Sequence, residues 1–420
     1  MLRFVTLTAL LTAVTARDSP PVAEHGGLQR MRMGDDDFRA LDPSVQHIPL
    51  DPTQSMLRPP PPHVPSSFDI FVGTTIFRDS FRCGKTLVSA LKRATYPDRL
   101  RFGIVDQELE GDVTCLEVFC QEAEAEWPEK GSCPYKDRIR VDAFPASESK
   151  GCTTARHRQQ KLIRDEEFCL QVDAHSVFTN GWDEELVTDW LKADNEMAIL
   201  STYPHHSHSN HIKEDGDNHK LGIYPHLCTV YSYRNTITRI LGGGSIYDSK
   251  TPQLGALWGG GLSFSKCHSE RNVPMDPHMP WLWDGEEYLR SVIVWTHGYD
   301  IYSPSEDGSV IYHNYTKNPI QRGWESWEDP EVQKQVTAMT YNRYRLLLGV
   351  DFTGMVNTTE LGKYGLGSVR SYAQYKAFSG ITLEQGQQDN NSCKQLHWVP
   401  YANATEVEAT VGGGWKLHAT

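Results

Sequence analysis

No run of about 20 apolar residues occurs in this chain, which argues against a bilayer-spanning helix. Its longest apolar stretch, Phe4 to Val14, is about eleven residues. That stretch follows Arg3 and leads into Val14-Thr15-Ala16, the pattern of a secretory signal peptide cut near Ala16. A type II membrane anchor is the alternative. Basic residues are in deficit: 41 Lys and Arg stand against 54 Asp and Glu, a formal charge of −13. This argues against a general binder of nucleic acid or anionic membrane, since both need a basic surface. The nine cysteines contain no C-x-x-C pair, which argues against a structural zinc site. The runs Gly242-Gly243-Gly244 and Gly259-Gly260-Gly261 lack G-x-G-x-x-G and Walker spacing, so neither indicates a dinucleotide or P-loop site. No internal repeat is evident.

What is present can build a large core: 420 residues, 39% of them hydrophobic, with 11 Trp and 18 Tyr. Residues 17 to 66 carry Pro20-Pro21, Asp35-Asp36-Asp37 and Pro59 to Pro62 without apolar periodicity, and read as a flexible, Pro-rich stem. Strand and helix patterns then alternate. Strands are expected at Phe68 to Thr74, Leu100 to Val105, Glu167 to Val172 and Met197 to Ser201. Helices are expected at Ser80 to Ala94, Thr153 to Arg164 and Asp183 to Lys192. Such alternation implies an α/β sheet covered on both faces, with ligands at the carboxyl ends of the strands. After about residue 325 the pattern turns helical, with Pro330 to Leu348 and Val369 to Phe378 as the main segments. The organisation read this way is an α/β domain over 67–325, a helical extension of it over 326–385 and a polar tail over 386–420.

An odd cysteine count leaves at least one thiol free. The close set Cys115, Cys120 and Cys133 is the one expected to hold a bridge, and Cys169 reads as a buried strand thiol. Sequons at Asn314, Asn357, Asn390 and Asn403 fit a secretory route. The histidines His205, His206, His208, His211, His219 and His226 read as a mobile surface loop over a cleft.

The most informative stretch is Phe168 to His175, where an apolar strand delivers Asp173 and His175 two residues apart. Alternation would set both on one face, as ligands for Mn²⁺ or Mg²⁺. The bland alternative is an Asp capping the next turn beside a loop His. Around it stand Phe68 to Asp79, Arg101 to Gln107, Gly151 to Leu162, Trp283-Asp284-Gly285-Glu286-Glu287, Thr296 to Asp300, Tyr312-His313-Asn314-Tyr315 and Tyr364 to Gly367. In this order they resemble the GlcNAc-transferase family that glycosylates hydroxyproline, Ser or Thr in proteins. The resemblance spans about residues 67 to 382.

That resemblance implies a GT-A fold, a Rossmann-like mixed sheet with a helical C-terminal extension, acting on a nucleotide-sugar. It implies donor contacts from Thr74, Thr75, Arg78, Asp106 and Arg156, although Asp106 reads equally well as a helix or turn cap. His313 would join Asp173 and His175 at the metal. Glu286 matches the carboxylate of the Trp-Gly-Gly-Glu segment in the mucin-type GalNAc-transferases, with Asp284 its neighbour in the cleft. The alternative makes both an acidic helix start favoured by the macrodipole. Trp258, Trp281 and Trp283 suit stacking on sugar or acceptor proline, and equally core packing. Relatives retain the anomeric configuration, so no dedicated nucleophile is required.

The expected activity is therefore metal-dependent, retaining transfer of GlcNAc from UDP-GlcNAc to a protein hydroxyl in the Golgi or ER lumen. No nucleic acid and no stable membrane span are expected, and oligomerisation stays open. Another UDP-hexose donor, or a silent glycan-binding protein on the same scaffold, are the competing readings. A metallohydrolase is disfavoured because no second carboxylate–His cluster exists to activate water.

Overall fold

The computed structural model describes residues 27–34, 36–208, 210–317 and 328–412. The strands in chain order are β1 Gln29–Arg32, β2 Arg39–Leu41, β3 Ile70–Phe77, β4 Leu100–Glu108, β5 Ile139–Pro145, β6 Phe168–Val172, β7 Ser176–Phe178 and β8 Ala198–Thr202. They continue as β9 Ile223–Ser232, β10 Thr238–Tyr247, β11 Gln253–Gly255, β12 Leu262–Lys266, β13 Asp300–Ser303, β14 Ile311–His313 and β15 Gln387–Asp389. The helices are α1 Ser80–Arg93, α2 Cys115–Glu126, α3 Cys152–Gln160, α4 Trp182–Lys192, α5 Cys267–Asn272, α6 Glu286–Thr296, α7 Pro330–Leu347, α8 Leu361–Tyr364, α9 Tyr372–Ser379 and α10 Thr405–Val411.

The central sheet has eight strands in the order β11-β13-β8-β12-β6-β3-β4-β5. β3, β4, β5 and β6 are parallel, while β12 runs antiparallel to both β6 and β8. The first four sheet strands thus lie 3-2-1-4 in chain order, a doubly wound arrangement with its switch point between β3 and β6. Ligands of such sheets gather at the carboxyl ends there. Parity sorts the two faces. Val72, Ile76 and Ile104 pack with Cys83, Leu87 and Phe119 of α1 and α2. Gly73 and Gly103 face the other way, where α3 lies so close that a Cβ on Gly73 would sit 1.7 Å from Gln159 Nε2.

A second, antiparallel sheet of five strands has the order β15-β9-β10-β1-β2. It corrects the expectation of a flexible stem over 17–66 for the described residues from 27 on, residues 17–26 lying outside them: β1 pairs with both β10 and β2, and Met31 and Leu41 are fully buried. Pro59 and Pro60 are buried too, and Pro60 O accepts the Glu196 N–H at 2.8 Å. The described part of the tail, residues 386–412, is likewise built in, through β15 and a disulfide from Cys393 to Cys228. These segments lack periodicity because each supplies a short edge whose partner lies far along the chain. The Gly242-Gly243-Gly244 run is a β-bulge between β9 and β10; Gly243 has φ +147°, and a Cβ there would meet Cys228 N at 2.8 Å.

Four disulfides form: Cys83–Cys115, Cys120–Cys133, Cys169–Cys267 and Cys228–Cys393. Cys169 is therefore not a buried thiol. Cys267 starts α5 directly after β12, the neighbour of β6, which brings the two sulfurs together. Cys152 is left free. So many bridges fit an oxidising, secretory environment. Among the described residues no helix is long and apolar enough to cross a membrane; the signal-like residues 1–16 lie outside them.

Candidate active site

A cleft of about 700 Å³ opens at the carboxyl ends of β3, β4 and β6. Asp173 and His175 stand at its edge, and their convergence has a different cause from strand alternation. Both belong to the turn between β6 and β7. Thr86 of α1 fixes that turn: its hydroxyl lies 3.0 Å from Ala174 O and 2.9 Å from Ser176 O, and accepts the Ser176 N–H at 3.0 Å. β7 then pairs with β14, setting His313 opposite Ser176, and Asn314 N–H donates to His175 O at 2.9 Å. One donor atom from each of Asp173, His175 and His313 falls within 4.8 Å of the others.

His313 Nε2 is 3.0 Å from Asp173 Oδ2, and His175 Nδ1 is 3.3 Å from Asp79 Oδ2. Burial would raise the Asp173 carboxyl, but His313, His175 and Arg156 outweigh it and hold it down at about 2. A carboxylate and two imidazoles, converging on one point with the carboxylate about a third exposed, are a donor set suited to Mn²⁺ and compatible with Mg²⁺.

Behind this trio lies a buried charge network. Arg156 of α3 donates from Nη1 to Glu286 Oε1 at 2.6 Å, and its Nη2 is 3.4 Å from Gly260 O and 3.9 Å from Asp173 Oδ1. Burial opposes the guanidinium charge, yet Glu286 and then Asp173 raise its pKa. Glu286 is 4% exposed at the first turn of α6 and takes a second hydrogen bond, 2.6 Å, from Cys152 Sγ. Burial, reinforced by Glu286, pushes that thiol well above its ordinary range, so it stays protonated. Gly285, at φ +96°, makes the left-handed turn that lets Asp284 and Glu286 both line the cleft. Asp284 sits 3.8 Å from Arg239 Nε.

The donor-binding expectations divide. Thr75 and Arg156 line the cleft. Thr74 and Asp106 have the other parity and point under α1 and α2, where Asp106 accepts the Cys115 N–H at 2.9 Å. Burial raises the Asp106 carboxyl. It therefore acts as the helix cap that was its alternative reading. Arg78 makes a two-pronged pair with Asp112, at 2.7 and 3.1 Å, and holds that carboxyl down at about 2. None of Thr74, Asp106 and Arg78 lines the cleft.

Gln107, Asp79, Tyr203 and Glu287 line it instead, and sequence reasoning missed them as site residues. Strand parity would have exchanged Asp106 for Gln107 had the facing of β4 been known. Trp258 is buried with Arg156 5.7 Å from its ring centre, whereas Trp283 is 56% exposed at the cleft. The histidine segment is packed against the β7–β14 ribbon: His206 bridges to His313, and His211 is buried and stacks on Tyr312. His226 belongs to β9, not to a loop.

The sheet order and the cleft at its switch point define the GT-A class of nucleotide-sugar-binding fold. The chain belongs to the Glycosyltransferase (GlcNAc) family, whose pattern it matches over residues 69–128 and 117–385, well over half its length. No curated protein sequence matches it. Among solved structures it is similar to GalNAc-T7 with UDP, GalNAc and Mn²⁺, at 14% identity and TM-score 0.47, covering 75% of this chain and 57% of that one. It is also similar to the mannosyltransferase PcManGT from Pyrobaculum calidifontis with GDP-Man and Mn²⁺, at 12% identity and TM-score 0.38, covering 78% and 74%. A third likeness is to S. aureus TarS 1-349 with UDP-GlcNAc, at 14% identity and TM-score 0.38, covering 68% of each chain. The chain spans a little over half the length of GalNAc-T7. These likenesses are distant, and the site rests on its own residues.

Proposed function

We propose that this protein is a metal-dependent, retaining glycosyltransferase that moves GlcNAc from UDP-GlcNAc to a hydroxyproline, Ser or Thr hydroxyl of a protein acceptor. The observation that carries it is the Asp173–His175–His313 trio beside a buried, charged Arg156 at the sheet's switch point. An acidic protein that takes up a diphosphate must gather positive charge locally, and this is where it does so. A divalent ion held by the trio supplies Lewis-acid neutralisation of the charge that builds on the departing diphosphate.

The chain's own residues do the rest. Arg156, fixed by Glu286, presents a second cation to the same charge. Glu286, with both oxygens engaged by Arg156 and Cys152, holds that cation in place and borders the donor sugar, and Asp284 stands next to it at the cleft wall. Cys152 is protonated and Glu286 is occupied, so neither is offered as a nucleophile. The acceptor hydroxyl then attacks on the face from which the diphosphate leaves, and its proton passes to the leaving phosphate. This matches the retaining chemistry that the family resemblance implies.

Incubating the protein with UDP-GlcNAc, UDP-GalNAc, UDP-Glc and UDP-Gal, with Mn²⁺ or with chelator, tests the reading. UDP should appear from UDP-GlcNAc with Mn²⁺ and fall to background with chelator. Preference for another donor would reassign the sugar, and no UDP from any donor would leave a silent scaffold.

The placement is lumenal or secreted. Residues 1–16 have the signal pattern, four disulfides need an oxidising compartment, and the sequon residues Asn390 and Asn403 are exposed. Protein from its native host should begin near Arg17 and lose mass on treatment with an N-glycan-releasing enzyme. An intact Met1 on an unglycosylated chain would move the acceptor to the cytosol.

A further inference from the structure

The first turn of α6 carries adjacent carboxylates that diverge. Glu286 turns to α3, as described. Glu287 turns to the opposite wall of the cleft, where Oε1 accepts the Gly260 N–H at 2.7 Å and Oε2 accepts the Tyr203 hydroxyl. The same peptide unit run is held from its other side, since Gly260 O accepts Gln171 Nε2 at 2.9 Å and Arg156 Nη2 at 3.4 Å. Ser201 secures the preceding residue by accepting the Gly259 N–H at 2.9 Å. Contact between loop and guanidinium is tight: a Cβ on Gly260 would lie 2.5 Å from Arg156 Nη2.

Arg156 is therefore fixed from two directions, by Glu286 through its charge and by Gly260 through the backbone. Glu287 holds Gly260 by its N–H, as Gln171 does by its carbonyl. Burial raises the Glu287 carboxyl to about 7, so keeping an acid here is costly unless it does something that an apolar residue cannot.

We propose that Glu287, acting through Gly260 and with Tyr203, is a positioning residue that sets Arg156 and the donor-sugar wall for the transfer step. It touches neither the metal trio nor, by this reading, the reacting atoms. The inference rests on the proposed transferase activity and goes beyond the roles assigned to Glu286 and Arg156. What the chemistry needs from Glu287 is an acceptor oxygen at Gly260 N–H, which an amide supplies as well as a carboxylate. A general acid or base at the same place would need the ionisable group itself.

The test measures UDP release from UDP-GlcNAc with Mn²⁺ for wild type, Glu287→Ala, Glu287→Gln and Tyr203→Phe, as kcat and donor KM separately. Glu287→Ala should lower kcat on the order of a hundredfold with KM changed far less, because misplacing a charged group by about 1 Å costs that much in rate. Glu287→Gln should restore most of it, and Tyr203→Phe, which removes one hydroxyl and little volume, should give a smaller loss of the same kind. Wild-type kcat in Glu287→Ala overturns the inference. So does a Glu287→Gln variant as slow as the alanine, since that would make the ionisable acid essential. If Glu287→Ala does not fold, a Tyr203→Phe enzyme with wild-type kcat overturns it on its own. Absence of UDP release in the wild type would instead remove the transferase reading.

Discussion

Asp173→Asn should cut Mn²⁺-stimulated UDP release on the order of a thousandfold while leaving the fold intact, as loss of a group preorganised for the developing charge does at the high end. The substitution keeps the side chain's volume and removes its charge. Asp173 is the one anion of the trio: His313 Nε2 bonds it at 3.0 Å, and Arg156 stands 3.9 Å away. With asparagine in place, the imidazoles of His175 and His313 stay near one another, their rings 4.4 Å apart, without the anion that binds a hard cation. His313→Ala should also abolish metal stimulation, but it removes a buried ring from the β7–β14 ribbon, so its melting temperature must be checked alongside. Both variants retaining the wild-type rate and metal dependence would show that the ion sits elsewhere.

Glu286→Gln should lower turnover on the order of a hundredfold with little change in donor KM. Glutamine keeps an oxygen for Arg156 Nη1 and loses the negative charge that steadies a buried guanidinium. The defect should also run through Arg156. In a double-mutant cycle, adding Glu286→Gln to Arg156→Ala should cost far less than Glu286→Gln costs alone, since residues in direct contact share one interaction. Normal turnover in the single variant would reduce Glu286 to a packing partner. A fully additive double variant would give it a role independent of Arg156.

The chain's local signals carried the elements whose burial follows one period. α1 runs Ser80–Arg93 against an expected end at Ala94, and α7 runs Pro330–Leu347 against Leu348. In both, side chains a turn apart share a face, so neighbours in sequence suffice. The antiparallel sheet was illegible for the opposite reason. β1 is four residues long, and its partner β10 lies more than 200 residues away, so nothing near Met31 marks that residue as buried. The Cys169–Cys267 bridge failed in the same way, because it depends on β12 lying beside β6.

At the site, the types of chemical group came from the sequence and their aim came from the fold. Asp173 and His175 were nameable from their spacing at a strand end, and His313, Arg156 and Glu286 from the family resemblance, and with them a candidate cation site and an acidic cleft. Which side chains reach that cleft could not be read in the same way. Along β4, Asp106 and Gln107 differ by one position and point to opposite faces, and only the stacking of α2 on one face and α3 on the other decides which of them meets a ligand. Arg78 was drawn off by Asp112, and Glu287 was recruited by a glycine loop 27 residues before it. Composition and local period determine what a segment becomes; direction and partnership depend on distant strands, because a hydrogen bond or ion pair is decided by distance in space.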